Sequence, residues 1–206
     1  MNTRDHWESI YVRKAHDRVS WYRPHLERSL DFIESADLAP DAAIIDVGGG
    51  SSTLVDDLLA RGHTNVTVLD ISAAAIQTAK TRLGDRKRMV RWLVGDVTEV
   101  ALDAHSYDFW HDRAVFHFLR QPDERRRYVA AARRAVKPGG QILVATFGPE
   151  GPERCSDLEV VRYDAEKLHE EFGPAFRKLN SLTETHKTPS GTDQQFLYCH
   201  CRLTVE

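Results

Sequence analysis

The sequence predicts an α/β protein: a doubly wound, mostly parallel sheet with helices on both faces. Three observations carry that reading. Apolar runs at residues 43–47, 66–70, 90–94, 107–111 and 141–146 alternate with helical patterns. Glycine, proline and capping residues punctuate the joins. Two further strand-like runs, 176–185 and 194–203, are separated only by a short turn containing Pro189 and Gly191, which makes them an antiparallel pair.

The elements follow in order. Residues 1–39 read as a helical lid, with Pro24 suited to a helix start and Leu26, Leu30 and Ile33 at helical spacing. Residues 40–206 form the core domain. The strand ending at Val47 leads through Gly48-Gly49-Gly50 to a helix capped by Ser51 or Ser52, carrying Leu54, Val55, Leu58 and Leu59, and ended by Gly62. Ser72 caps the next helix, which buries Ile76, Ala79 and Leu83 and stops at Gly84. Pro122-Asp123-Glu124 opens a helix whose last turns carry Arg133 and Arg134, the charge order a helix dipole favours. Lys137-Pro138-Gly139-Gly140 reads as a turn, 148–156 as a loop, and residues near 164–172 as a helix.

Composition narrows the function. The 206 residues carry 28 basic and 31 acidic side chains, a net charge of −3, so neither a nucleic-acid partner nor a membrane surface is expected. No apolar run approaches the roughly 20 residues that span a bilayer, and residues 1–6 lack a signal-like apolar core. A cytoplasmic protein, monomer or homodimer, is the expectation. The three cysteines form no CxxC pair. Cys199 and Cys201 flank His200 on one strand, placing both thiols on one face and the imidazole on the other, so no metal site is expected.

In open α/β sheets, ligands bind beyond the carboxyl ends of the strands. The first strand ends in Asp46-Val47-Gly48-Gly49-Gly50, and Thr53 breaks the dinucleotide glycine pattern. A carboxylate before the glycines repels a pyrophosphate and suits a cation. The second strand ends in Asp70, placed to bind ribose hydroxyls, and the third in Gly95-Asp96-Val97, where a carboxylate can accept an adenine amine. Cation, ribose and adenine without phosphate describe S-adenosylmethionine, with S-adenosylhomocysteine as product.

These segments, with Leu69-Asp70-Ile71-Ser72, Gly95-Asp96-Val97-Thr98, Tyr107-Asp108, Ala114-Val115-Phe116-His117 and Lys137-Pro138-Gly139-Gly140, resemble the class I, Rossmann-like S-adenosylmethionine-dependent methyltransferases. The resemblance implies strand order 3-2-1-4-5-7-6 with the last strand antiparallel. It implies cofactor contacts from Asp46, Gly48, Gly49, Gly50, Asp70, Ile71, Asp96, Val97 and the backbone around His111. The leading Trp7, Tyr11, Trp21 and Tyr22 are similar to the aromatic lead of small methyltransferases acting on proteins or thiols, which would lay Trp21 and Tyr22 over the cofactor's methionine part. An aromatic face attracts a cation.

Methyl transfer from a sulfonium is an in-line displacement with a neutral leaving group, so alignment and water exclusion dominate. His111, Asp112 and His117 are the candidates for proton handling, and Arg113, Arg154, Cys155, Tyr163 and His186 for the acceptor side. With 39 residues ahead of the core and no inserted domain, a small-molecule acceptor is favoured, a thiol ahead of amine or hydroxyl. A protein acceptor, with protein-lysine methylation as the reaction, is the alternative. A catalytically idle cofactor binder and a nicotinamide-dependent dehydrogenase are rivals from other classes.

Overall fold

The computed structural model describes residues 3–13 and 15–204; residues 1, 2 and 14 of the leading segment and the last two of the core lie outside them. Helices α1 (Thr3–Arg13) and α2 (Glu27–Ser35) precede β1 (Ile44–Val47). Then come α3 (Leu54–Ala60), β2 (Val66–Asp70), α4 (Ala73–Leu83), β3 (Val90–Val94), β4 (Tyr107–Arg113), α5 (Pro122–Ala135) and β5 (Val136–Phe147). A two-residue ribbon, β6 (Arg154–Cys155) with β7 (Leu158–Glu159), leads to α6 (Ala165–Phe172) and to the hairpin β8 (Phe176–Lys187) and β9 (Asp193–Leu203).

The main sheet has order β3-β2-β1-β4-β5-β9-β8. Leaving out the ribbon, this is the expected 3-2-1-4-5-7-6. β1 to β5 pair in parallel, and β9 runs antiparallel to both β5 and β8. One apolar layer packs Ile45, Val47, Trp110, Ile142 and Val144 with residues of α5 and α6. The other packs Ile44, Phe109, Leu143 and Ala145 with α2 and α3. Alternation along each strand divides the two faces, and it sends Cys199 and Cys201 to the first layer while His200 meets Phe32 and Phe109 of the second.

Several local expectations change. The leading segment is not helical throughout. A 3₁₀ turn, His16–Arg18, separates α1 from an irregular strap that holds Trp21, Tyr22 and Pro24. The strap's carbonyls are claimed by distant side chains instead of helical N–H groups: Ser20 by His186, Trp21 by Arg113 and Arg23 by Thr53. Pro24 adds its own bias against a helical residue 23, and α2 starts only at Glu27. α2 buries Leu30, Phe32 and Ile33 in the second layer, so it belongs to the core. Thr53, not Ser51 or Ser52, occupies the N-cap of α3, while the Ser52 hydroxyl accepts the Leu54 N–H at 3.2 Å.

β4 runs two residues past expectation, and β5 begins at Val136. Lys137-Pro138-Gly139-Gly140 bulges out of the ladder: Tyr107 pairs with Val136, but Phe109 pairs with Gln141. Lys137 Nζ reaches Asp108 at 2.8 Å across that bulge.

Candidate active site

Strand order reverses between β1 and β4, the position where doubly wound sheets open a crevice. Asp46 and His111 stand in register on those two strands. Asp46 Oδ1 lies 2.7 Å from His111 Nδ1, and His111 Nε2 lies 2.8 Å from Ser29 Oγ on α2. All three are buried. The order Ser–His–Asp imitates a hydrolytic triad, but Asp46 and His111 line the cavity and Ser29 does not, so the hydroxyl cannot reach a substrate. The relay instead holds the Asp46 carboxylate still. Asp46 Oδ2 is buried and has no hydrogen-bond partner among the described residues.

The glycine loop fits around that carboxylate. Gly48 turns at φ +67°, and a Cβ there would collide with Val115; a Cβ at Gly49 would collide with Asp46 Oδ2. The Asp70 carboxylate leans over Gly50 in the same way, which puts Gly50 beneath the cavity rather than in its wall. Asp70 Oδ1 accepts the Ser72 N–H at 2.8 Å. Burial, with Asp46 and Glu8 close by, pushes Asp70 up to about 7, against the pull of the N–H bonds it accepts. Asp96 Oδ1 is occupied by Thr98, accepting its N–H and hydroxyl at 2.8 Å each.

The cover comes from α1 and the strap. Glu8 of α1 accepts the Ser72 hydroxyl at 2.7 Å and the Ala74 N–H at 3.1 Å, docking α1 on the N-terminus of α4. Trp7 packs edge-on against Trp21 (5.8 Å between centroids) and Phe118 (4.9 Å), and Tyr11 against Trp21 (6.2 Å). The buried Tyr11 hydroxyl is held neutral by burial and by the Asp70 carboxylate. Trp7 and Tyr11 belong to the cavity wall with Trp21 and Tyr22.

The expected site residues divide cleanly. Trp21, Tyr22, Asp46, Gly48, Gly49, Asp70, Ile71, Asp96, Val97, His111, Arg113 and Cys155 line one cavity. Besides Gly50, five others lie outside its wall. Asp112 points to the opposite face, where it accepts the Val115 N–H (2.8 Å), the Phe116 N–H (3.1 Å) and the Tyr128 hydroxyl (2.6 Å). Those bonds staple a turn in which Ala114 takes φ +77°. A left-handed alanine costs about 1–2 kcal/mol, which two charge-assisted bonds exceed. Burial still lifts Asp112 to about 6.

His117 lies behind the wall. Its Nδ1 accepts the Phe147 N–H at 3.1 Å, so the ring proton sits on Nε2, and burial drives its pKa down to about 3. Arg154 is exposed and donates to the Asp157 carbonyl at 2.5 Å. Tyr163 packs against Phe116 in the first apolar layer. His186 accepts from Arg23 Nε at 3.0 Å and donates to the Ser20 carbonyl at 2.7 Å, which ties the strap to the hairpin.

Three contributors escape a sequence reading of the strand ends: Glu8, Tyr11 and Ser29. Each comes from the leading 39 residues and meets a distant partner: Glu8 bonds Ser72, 64 positions on, Ser29 bonds His111, 82 positions on, and Tyr11 feels the charge of Asp70, 59 positions on. The aromatic pattern around Tyr11 is the one local signal among them.

Three carboxylates at the ends of β1, β2 and β3, one bonding face left open on Asp46 and an aromatic roof make a cleft for a ligand rich in donors and positive charge. Residues 45–144 match a family described as a methyltransferase domain. Over 196 residues the chain is 21% identical to EEF1A lysine methyltransferase 2 of Danio rerio, covering 88% of this chain and 78% of that protein. Over 128 residues it is 30% identical to malonyl-[acyl-carrier protein] O-methyltransferase of Paenibacillus sp. (strain JDR-2), covering 60% of this chain. It spans 45% of that relative's length. In three dimensions it resembles 1,6-didemethyltoxoflavin-N1-methyltransferase of Burkholderia thailandensis, solved with 1,6-didemethyltoxoflavin and S-adenosylhomocysteine bound. The TM-score is 0.75 at 22% identity, covering 98% of this chain and 87% of that one.

Proposed function

Because this chain is a class I S-adenosylmethionine-dependent methyltransferase, we propose that it methylates a small nucleophile that ionises without a dedicated base, a thiol ahead of an amine or hydroxyl. The observation that carries this reading is the occupation of every expected proton acceptor. His111 is bonded through both nitrogens. Asp112 staples a turn on the far face. His117 spends its one lone pair on a backbone N–H. A thiol near pKa 8.5 ionises appreciably at neutral pH, whereas a lysine near 10.4 needs a base.

S-adenosylmethionine, when bound, supplies a methyl group on a positively charged sulfur. The chain's own residues hold, align and dry the site. Asp46 would take the amino group on its open Oδ2, with His111 and Ser29 fixing the carboxylate's direction. Asp70 would take the ribose hydroxyls, and the Asp96-Val97 segment the adenine. Trp21, Tyr22, Trp7 and Tyr11 would roof the sulfur end, where aromatic faces favour a cation and exclude water. We assign the lid role to α1 and the strap.

A second reading, protein-lysine methylation, draws support from the likeness to EEF1A lysine methyltransferase 2 along 88% of the chain. Incubation with methyl-labelled cofactor separates the two. The small-acceptor reading expects S-methyl products from a thiol panel and no labelled protein in a cell extract. Labelled protein, or turnover of amines or phenols with no thiol consumed, overturns it.

A further inference from the structure

One cation in the cleft has a bonding direction left over. Arg113, the last residue of β4, shares the sheet face of His111, one pleat further along, a rise of about 6.5 Å. Its Nε donates to the Tyr198 hydroxyl at 3.1 Å and its Nη1 to the Trp21 carbonyl at 3.0 Å. The guanidinium lies over the Phe196 ring, 4.2 Å from its centroid. Nη2 is buried and has no hydrogen-bond partner among the described residues. Arg113 lines the cavity and carries no salt bridge to an acid among those residues.

The nearest acid in the network is already committed. Glu184 accepts from the Tyr198 hydroxyl at 3.1 Å, pairs with Arg23 at 3.0 Å and lies 4.0 Å from Arg28. Arg113 reaches Glu184 through the Tyr198 hydroxyl, so among the described residues its charge has no direct counter-ion. Buried guanidinium nitrogens are ordinarily satisfied, and a guanidinium held at two of its nitrogens, with the third unpaired, on a residue that lines a cavity, is arranged for something that arrives. The partner must accept hydrogen bonds and carry negative charge. Asp46 Oδ2 is a second orphan, of opposite polarity, in the wall of the same cavity.

We propose that Arg113 Nη2 is the receptor for an anionic oxygen, a carboxylate, of a ligand held in this cleft. Two ligands could bring it: the amino-acid end of the cofactor, or an acidic acceptor. The inference rests on the cleft being the cofactor site and not on the preference for thiols.

Titration calorimetry reads it without turnover. Wild-type protein is titrated with S-adenosylhomocysteine and with its decarboxylated analogue. The S-adenosylhomocysteine complex is then titrated with 2-mercaptobenzoate and with the corresponding amide. One of these pairs is expected to show a preference for the acid of about tenfold to a hundredfold. The first pair identifies the cofactor as the source and the second an acceptor. Arg113→Gln should erase that preference, and Arg113→Lys should keep part of it. The proposal is overturned if neither pair discriminates in the wild type, a result that needs no variant. It is equally overturned if the preference survives in an Arg113→Gln protein whose melting temperature is unchanged. Because binding is read, failure of every thiol to be methylated would leave this result standing.

Discussion

Asp46 and His111 face one another in register across the two strands where the sheet reverses its order, with Oδ1 2.7 Å from Nδ1. The bond explains why a histidine occupies a position in a central strand where an aliphatic side chain would pack at less cost. It also sets a stability expectation. His111→Leu leaves a buried carboxylate and the Ser29 hydroxyl without their shared partner. Loss of a buried polar pairing of this kind costs about 3 kcal/mol. Urea unfolding should show a lower midpoint with an unchanged slope. A loss under about 0.5 kcal/mol, the size of an ordinary surface change, would contradict the bridging role.

Asp70 should make ligand affinity depend on pH. Its carboxyl sits near 7 in the folded chain, raised above the ordinary 3.8. A raised acid binds its proton more tightly when folded, so the contribution to stability is full below about pH 4 and is lost as pH rises through 7. The affinity for the cationic cofactor moves the opposite way. It should rise with pH by at most about tenfold per unit below 7 and level off above. Asp70→Asn should flatten both profiles, which differential scanning calorimetry and titration calorimetry across pH 5–8.5 would check.

Glu8 holds α1 to α4 by accepting from Ser72 and Ala74. Glu8→Ala should cost about 0.5–2 kcal/mol, the size of a lost helix cap, and the loss should be confined to α1. Hydrogen exchange should quicken at residues 3–13, and S-adenosylhomocysteine should dissociate faster. Unchanged exchange in α1 would mean that its aromatic contacts suffice to hold it.

The aromatic roof should tell charged from uncharged sulfur. A cation–π contact contributes about 0.5–2 kcal/mol. Trp21→Ala should therefore weaken S-adenosylmethionine about 2- to 30-fold more than it weakens S-adenosylhomocysteine. Equal losses for both would assign Trp21 to packing alone.

Much of this was legible in the residues themselves. Strand–helix alternation, the Ser72 cap and the Gly62 and Gly84 stops each act within a few positions, and the structure carries them where expected. The acids at 46, 70 and 96 follow from strand ends, which local periodicity marks well. What was not legible depends on contacts between distant segments. The strap is extended because His186, Arg113 and Thr53 claim its carbonyls. Asp112 looks like a base in the sequence, but its β-strand parity points it at Tyr128 and a strained Ala114 turn. Likewise, the roles of Glu8 and Ser29 exist only once α1 and α2 have docked.

The most direct measurement is calorimetric titration of the wild type and of Asp46→Ala with S-adenosylmethionine and, separately, with NAD. The wild type should bind one S-adenosylmethionine per chain and show no heat with NAD, and Asp46→Ala should bind the cofactor at least about tenfold more weakly. Saturable NAD binding displaced by nothing but another pyridine nucleotide, or full S-adenosylmethionine affinity in a folded Asp46→Ala protein, would contradict the acid-lined cleft on which the account stands.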